Sequence, residues 1–284
     1  MIIGGSKKQV INNIQQALDE GNLNKKVENG DPSLSPEEKR ELLLRYQSRR
    51  KERKYRIYND AACIVRDVVG WTQNWDTKII GMENLKAVET GAIITSNHFN
   101  PLDNTVIRKM SKKAGKKRLY IVSQDANFTM KGFLEFLLNY ADTVPISADR
   151  NYMKEIFGPY LNALLRRGEW ILIYPEQEMW FNYRKPRPPK RGAYYYAAKY
   201  QVPVISCFVE MRDGKKPDTE EFLKVSYTLH IMPPLYPDKD KSVNENSRLM
   251  MEKDYAQKKA AYERIYGQKC TYEFSRDDIA GWTG

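Results

Sequence analysis

The chain has 284 residues, of which 47 are Lys or Arg and 36 are Asp or Glu, so its formal net charge is +11. Hydrophobic residues make up 41% of the chain, which excludes a disordered or fibrous protein and provides enough apolar material for a folded core. The longest nearly apolar stretch, 202–209, is too short to cross a bilayer, so the sequence predicts no transmembrane helix.

The positive charge predicts an anionic partner, which composition alone leaves open between nucleic acid, an acidic membrane surface and a polyanionic substrate. Cys63, Cys207 and Cys270 are odd in number and far apart. They favour a reducing compartment over a disulfide framework, and their spacing indicates no metal site. The first ten residues lack the pattern of a signal peptide, so we expect a cytoplasmic protein.

The first predicted elements are helical. Residues 1–34 form a polar N-terminal extension with a weak helix near 8–20. A firm helix start follows, with Ser35 as N-cap, Pro36 in the first turn and Glu38 in the position of a capping box. A second helix is predicted over 58–75, so residues 35–75 form a basic, amphipathic two-helix region that we expect to associate with a membrane.

From residue 76 short apolar strands alternate with helical segments, which predicts an α/β fold with a central, mostly parallel sheet flanked by helices. We assign residues 76–237 to this domain. The predicted strands are 77–80, 92–96, 119–122, 143–146, 170–174, 204–209 and an edge strand at 225–232; the predicted helices are 102–114, 130–140, 151–167 and 191–200. Residues 238–284 form a C-terminal helix, 243–266, and a tail.

Two strands run directly into polar residues. The strand at 92–96 is followed by Asn97, His98, a Pro turn and Asp103, and the strand at 170–174 is followed by Pro175 and Glu176. A carboxylate near an imidazole fixes its tautomer and lets it accept a proton from a hydroxyl. The alternatives are an Asp that caps a helix beside an unrelated His, and an ordinary exit from a strand.

Together these segments resemble the glycerolipid acyltransferase family, which includes the 1-acylglycerol-3-phosphate acyltransferases. The family pattern N-H-x-x-x-x-D corresponds to 97–103. The second block, which ends in Arg, corresponds to 144–150, and the third, F-P-E-G-T-R, to 174–179. A basic residue followed by Gly-Ala corresponds to 190–193, and the fourth block, V-P-hydrophobic, to 202–205.

The resemblance implies an O-acyltransferase that moves a fatty acyl group from an acyl-CoA or acyl-carrier protein to a hydroxyl of a lysophospholipid. His98 is then the general base and Asp103 orients it, with no metal and no cofactor besides the donor. The acceptor pocket is expected to use Asn97, Pro175 and Gln177, with Glu176 shaping it and Arg150 binding the acceptor phosphate.

The third block departs from the family, because Gln177 and Met179 replace its Gly and Arg, and Glu178 adds a negative charge. Either the phosphate is held elsewhere or the acceptor carries no phosphate, as in a glycolipid. The candidates for holding it are Arg184, Lys185, Lys190 and Arg191. A third alternative is a catalytically weak relative that only binds lipid.

Three basic clusters, at 45–56, 108–118 and 184–191, favour an anionic bilayer surface. Trp71 and Trp75 on the second helix, and 179–181 as an exposed apolar group, are candidates for membrane insertion. The alternatives are that this helix belongs to the core and that 179–181 lines an acyl groove. We therefore expect peripheral association with the inner face of the cell membrane. The sequence contains no motif that supports the alternative of a nucleic-acid-binding protein. A metal-dependent hydrolase is also disfavoured, because the chain has only two histidines and no carboxylate or Cys cluster near them.

Overall fold

The computed structural model describes residues 6–29 and 34–284. Its centre is a seven-stranded sheet in the order β1-β7-β6-β2-β5-β3-β4. All neighbouring strands are parallel except β6 and β7, which form an antiparallel hairpin. The strands are β1 (Lys78–Ile80), β2 (Ala92–Thr95), β3 (Leu119–Gln124), β4 (Thr143–Ile146), β5 (Trp170–Leu172), β6 (Val204–Thr219) and β7 (Phe222–Ile231).

This sheet confirms the predicted α/β class. One detail is wrong: β7 is not an edge strand, because β1 pairs with its outer side through the Ile80↔His230 register. β1 has only three residues, and its sequence does not indicate which strand it pairs with. β6 also continues to Thr219, well beyond the predicted end, and its distal half is exposed.

Helices cover both faces of the sheet. They are α1 (Lys7–Asp19), α2 (Pro36–Lys51), α3 (Tyr55–Gln73), α4 (Asn104–Lys113), α5 (Phe133–Tyr140), α6 (Arg150–Tyr152), α7 (Gly158–Arg166), α8 (Gly192–Tyr200) and α9 (Val243–Tyr266), with a π-helical turn over Met153–Phe157. The predicted capping box at the start of α2 is present, since Ser35 and Glu38 exchange side-chain-to-backbone hydrogen bonds. It fixes the start of α2 in an otherwise polar segment.

The core has two main parts, because successive side chains of the central strands point to opposite faces. Ile93 and Ile171 pack into one cluster with α7 and α8, while Ile94 and Leu172 pack into the other with α4. Strands buried on both faces read as continuous apolar runs, which is why β2 and β5 were predicted correctly.

The N-terminal extension is part of this fold. The apolar face of α1 packs in a third cluster with Trp180 and Phe181 of the third block and with Ile279 near the C-terminus. The prediction that 179–181 is an exposed apolar group is therefore wrong, since Trp180 and Phe181 are buried. Their partner helix lies about 160 residues away in sequence, and the weak pattern of α1 gave no sign of it.

Large apolar side chains remain exposed along one face of α3. Ile64, Val68 and Trp71 lie at helical spacing, and Trp71 and Trp75 each expose 73% of their surface. In the part of the chain that the structure describes, no helix has the length and apolar character needed to cross a membrane.

Candidate active site

The carboxyl ends of β2 and β5 lie side by side, because these strands are parallel neighbours and Ile173 N–H continues their ladder to Ile94 C=O at 2.9 Å. His98 follows β2 and Tyr174 follows β5. Their rings stack with centroids 4.0 Å apart and planes 14° from parallel. The two segments that carry the sequence motifs therefore meet at one edge of the sheet, as expected for open α/β folds.

His98 and Asp103 form a hydrogen-bonded pair. His98 Nδ1 lies 2.8 Å from Asp103 Oδ2, which also accepts the Phe99 N–H at 2.9 Å. A turn closed by Asp103 N–H to Asn100 C=O brings the two side chains together. Because Nδ1 is engaged by the carboxylate, Nε2 is the imidazole nitrogen left for a substrate.

Asp103 occupies the N-cap position of α4 but makes no side-chain capping bond. Its carboxylate turns instead to His98, and Tyr174 donates its hydroxyl to Asp103 Oδ1 at 2.5 Å. This geometry decides against the simpler interpretation of Asp103 as a capping residue. A capping side chain would accept a hydrogen bond from one backbone N–H in the first turn of the helix. Here several donors outside the helix converge on a buried carboxylate.

Glu176 is buried behind the pair and does not line the cavity described below. Its Oε2 accepts the His98 N–H at 3.3 Å and a hydrogen bond from Arg187 at 3.0 Å, while Oε1 accepts the Arg187 backbone N–H at 2.9 Å. The expectation that Glu176 shapes the acceptor pocket is not supported by this position. Glu176 instead ties the His98 backbone to the third block through an internal ion pair.

Asn97 is also turned away from the cavity. Its amide exchanges two hydrogen bonds with the Val209 backbone of β6, at 3.1 and 2.8 Å. It therefore extends the pairing of β2 with β6 beyond Thr95 and fixes the backbone just before His98. The sequence alone does not distinguish this structural role from contact with a substrate.

A cavity of about 1020 Å³ opens beside His98, Asp103 and Tyr174. Its polar end is lined by Pro175, Gln177, Glu178, Lys190 and Arg191, and by Glu28 of the N-terminal extension. The apolar part is lined by side chains of β3, α5 and the turn after α6: Ile121, Met130, Leu134, Leu137, Leu138 and Met153. The cavity thus joins a proton-accepting group to a long apolar surface.

Gln177 stands where the family has Gly, and its backbone explains that preference. Its φ is +68°, a left-handed conformation that favours glycine. The turn is closed by Gln177 N–H donating to Tyr174 C=O at 3.2 Å. Lys190 N–H donates to Pro175 C=O at 2.7 Å, which brings Lys190 and Arg191 to the polar end of the cavity.

Three predicted phosphate-binding residues lie elsewhere. Arg150 is exposed at the start of α6 and does not line the cavity. Arg184 is buried and bonds to Asp213 and to the Asp277 carbonyl, and Lys185 forms a buried ion pair with Asp278 at 2.8 Å. Arg184 and Lys185 therefore anchor the C-terminal tail, which charge counting along the chain could not reveal.

The basic clusters are less solvated than predicted. In the cluster at 108–118, Arg108 is buried against Asp67, Lys109 donates to three backbone carbonyls and Arg118 pairs with Asp142. At 45–56, however, the exposed side chains of Lys51, Arg53, Lys54 and Arg56 have no ion pair with any described residue. This corner adjoins the exposed apolar face of α3.

The second histidine, His230, also has a carboxylate partner. Its Nε2 lies 2.7 Å from Glu210 Oε2, across the β6–β7 hairpin. Neither residue lines the cavity beside His98. Over residues 6–29 and 34–284 no group of three or more His, Cys, Asp or Glu side chains is arranged to hold a metal ion.

Three residues of this site were not identified from the sequence. Tyr174 was treated as the end of a strand, although a Tyr in place of the family's Phe was a visible signal. Arg187 was counted as one member of a basic cluster, and nothing in the pattern paired it with Glu176. Glu28 reaches the cavity only because the extension folds back onto the third block, where Asn24 donates to the Glu176 and Pro188 carbonyls.

Comparison with known proteins agrees with this geometry. No curated protein sequence matches the chain. A similar solved structure is the 1-acyl-sn-glycerophosphate (LPA) acyltransferase PlsC from Thermotoga maritima, at 17% identity and a TM-score of 0.51, over 81% of this chain and 89% of that one. This likeness supports the fold. Residues 76–210 match the family model Acyltransferase. The predicted family is thereby confirmed for this domain, residues 76–210.

Proposed function

We propose that the chain transfers a fatty acyl group from an acyl thioester to a hydroxyl of a lysophospholipid, with His98 as general base. The observation that carries this proposal is the His98–Asp103 pair opening into a cavity with an apolar arm. A base and an acyl-sized apolar surface are the two things this reaction needs in one place.

In the proposed step, His98 Nε2 accepts the proton of the acceptor hydroxyl as its oxygen attacks the thioester carbonyl. The C–O bond forms, the tetrahedral intermediate collapses with cleavage of the C–S bond, and the imidazolium returns its proton to the leaving thiolate. The acceptor is itself the nucleophile, so no acyl-enzyme is formed. Asp103 stabilises the imidazolium and holds the tautomer with the proton on Nδ1.

The apolar arm supports a fatty acyl substrate. The side chains of α5 that line it, Leu134, Leu137 and Leu138, lie beside Ile121 of β3 and Met153. Each buried methylene contributes about 0.8 kcal/mol, so even part of a long chain adds substantial binding free energy. Acyl-CoA and acyl-carrier protein both fit as donors, and neither requires a further cofactor.

For the acceptor headgroup, Lys190 and Arg191 are the candidate phosphate ligands, because they are the exposed cations at the polar end of the cavity. A second candidate function is transfer to an acceptor without phosphate. Glu28 and Glu178 line the same end, and Met179 replaces the family's Arg, which weakens the case for an anionic headgroup.

We further propose that the enzyme acts at the inner face of the cell membrane as a peripheral protein. The exposed apolar face of α3 would insert, and the unpaired cations at 51–56 would contact acidic headgroups. The same helix contributes Arg66 and Val69 to the cavity lining, so insertion would bring the cavity to the lipid surface.

The deciding experiment is a thiol-release assay with long-chain acyl-CoA and a panel of lysolipid acceptors, comparing wild type with His98→Ala. We expect thiol release with at least one acceptor, and a loss of about 10²-fold or more in the variant. Lysophosphatidic acid and an uncharged glycolipid acceptor distinguish the two candidate functions. Equal rates for both proteins with every acceptor would refute the enzymatic proposal.

A further inference from the structure

Tyr174 contacts both members of the His98–Asp103 pair. Its hydroxyl donates to Asp103 Oδ1 at 2.5 Å, and its ring lies flat against the imidazole at 4.0 Å. The family pattern F-P-E-G-T-R has Phe at this position, so the ring agrees with that pattern and the hydroxyl departs from it. No other donor among the described residues contacts Oδ1, because the remaining bonds to Asp103 go to Oδ2.

The hydroxyl is able to donate at every pH at which the enzyme would work. Burial first, and the neighbouring Asp103 carboxylate second, raise the pKa of Tyr174 well above its ordinary value. The phenol therefore stays protonated and acts as a fixed donor to a buried carboxylate. A hydrogen bond to a charged group is roughly twice as strong as one between neutral groups.

We propose that Tyr174 is a positioning residue of the candidate dyad, whose hydroxyl holds Asp103 and lowers the basicity that Asp103 imparts to His98. The inference rests on the proposed function, since it concerns how the base is tuned. A carboxylate whose charge is shared with a phenol attracts the imidazole Nδ1 proton less strongly. Removing the phenol would leave that charge undivided on Asp103 and strengthen its interaction with the imidazole.

The test is the pH profile of kcat/KM for wild type and Tyr174→Phe, which keeps the ring and removes only the hydroxyl. We expect the acid limb of the variant to move to higher pH by about half to one unit, because the imidazolium becomes more stable. A purely structural contribution of the hydroxyl would lower the rate equally at every pH and leave the midpoint in place.

Tyr194→Phe is the matched control. Tyr194 donates its hydroxyl to the buried carboxylate of Asp254, so the substitution removes a bond of the same type away from the cavity. We expect it to lower stability without moving the profile. If Tyr174→Phe and wild type have superimposable profiles while His98→Ala is inactive, the Tyr174 inference fails and the proposed function stands. If His98→Ala is as active as wild type, the proposed function itself fails.

A separate observation concerns a second cleft, of about 910 Å³, on the other side of the His98–Asp103 turn. Pro101, Leu102 and Asp103 line both cavities. One wall of the second cleft is the end of α3 with Trp75, and the opposite wall is the distal part of the β6–β7 hairpin, which carries Lys215, Lys216 and Lys224.

These three lysines are exposed, and no acidic side chain of residues 6–29 or 34–284 lies within ion-pair distance of them. Lys7, a fourth cation of the cleft, is already paired with Asp218 at 3.4 Å and lies over the Phe222 ring. The lining contains three acidic residues. Asp103 is bonded to His98 and Asp218 to Lys7, and Asp76 is the third. Like charges gathered on one wall attract an anion.

We infer that this second cleft binds a phosphate-bearing ligand through Lys215, Lys216 and Lys224. Its volume suits a headgroup or nucleotide rather than a protein partner. Two sources share this chemistry. The rim at Trp75 continues the exposed face of α3, which would admit an anionic lipid headgroup, and the turn shared with the first cavity would admit the phosphates of an acyl donor.

The test uses wild type and the triple variant Lys215→Gln, Lys216→Gln, Lys224→Gln. The matched control replaces three exposed lysines outside the cleft, Lys239, Lys253 and Lys269, by Gln. Binding is measured to CoA, to vesicles containing an anionic phospholipid, and to inorganic phosphate. We expect at least tenfold weaker binding of CoA or of vesicles by the cleft variant, and about twofold or less in the control.

Weaker binding of CoA alone identifies the donor as the source, and weaker binding of vesicles alone identifies a lipid headgroup. Loss of inorganic phosphate binding in the cleft variant supports the site under either source. If the cleft and control variants bind CoA, vesicles and inorganic phosphate equally well, the cleft is not a phosphate site and the inference is overturned.

Discussion

The chain contains two histidines, and each is paired with a carboxylate at nearly the same distance. His98 and Asp103 are 2.8 Å apart, and His230 and Glu210 are 2.7 Å apart. The pairs differ in what surrounds them. His98 follows the end of a parallel strand and lines a cavity, whereas His230 lies within the β6–β7 hairpin with its Nε2 occupied by Glu210. A His–carboxylate pair becomes a candidate base only where a second nitrogen faces space for a substrate.

The largest effect is expected from a substitution that disrupts the His98–Asp103 pair and leaves the His230–Glu210 pair intact. Asp103→Asn removes the charge that stabilises the imidazolium and introduces an amide among N–H donors, so we expect kcat/KM to fall by about 10²-fold or more. Glu210→Gln makes the same chemical change in the second pair, and we expect its activity to stay within about twofold of wild type. Thiol-release kinetics on both variants measure the difference, and equal losses would contradict the assignment of the base.

The next effect tests the cavity that distinguishes the pairs. Leu137→Trp fills the apolar arm without touching His98, so we expect kcat/KM for a long-chain acyl-CoA to fall about tenfold, with short-chain donors little affected. Competition between donors of two chain lengths is the direct measurement. A uniform loss with both donors would indicate that the acyl chain lies elsewhere.

A smaller effect concerns the surface beside the first pair. Trp71→Ala combined with Trp75→Ala removes two exposed aromatic side chains, one on α3 and one just beyond its end, and we expect vesicle binding to weaken about tenfold. The matched control is Tyr236→Ala, an exposed aromatic residue away from α3. Co-sedimentation with anionic vesicles at low salt measures both variants, and unchanged binding by the double variant would exclude this face as the membrane contact.

The smallest effect is on stability, through the second pair. Burial alone would raise the pKa of Glu210, but hydrogen bonds from His230 and Arg212 lower it below the ordinary value of 4.5. A carboxyl with a lowered pKa contributes stability above its unfolded pKa and loses that contribution as pH falls through the folded value. We therefore expect Glu210→Gln to cost about 1 kcal/mol at pH 7 and much less near pH 3. Thermal unfolding at the two pH values tests this, and a cost independent of pH would contradict it.

The sheet and the two strand ends were predictable because β2 and β5 are apolar on both faces and run directly into polar residues. The pairing of His98 with Asp103 was also within reach, since the turn between them is local. The roles of Arg184, Lys185 and Glu176 were not, because their partners Asp278 and Arg187 are set by long-range folding. A cation on the surface and a cation in an internal ion pair have the same appearance in a sequence.

The loop that carries the third block is held from both directions along the chain. Residues 23 and 24 bond to Arg187 and to the Glu176 carbonyl, while Asp278 and Ala280 bond to Arg184 and Asn182. These contacts join residues about 100 to 160 positions apart, and contacts of high sequence separation form late in folding. During synthesis the contacts that Asp278 and Ala280 make with this loop cannot form until the C-terminal segment has emerged. A nascent chain can then form its sheet first, and the loop after the third block becomes fully anchored only once residues 278–280 have been added.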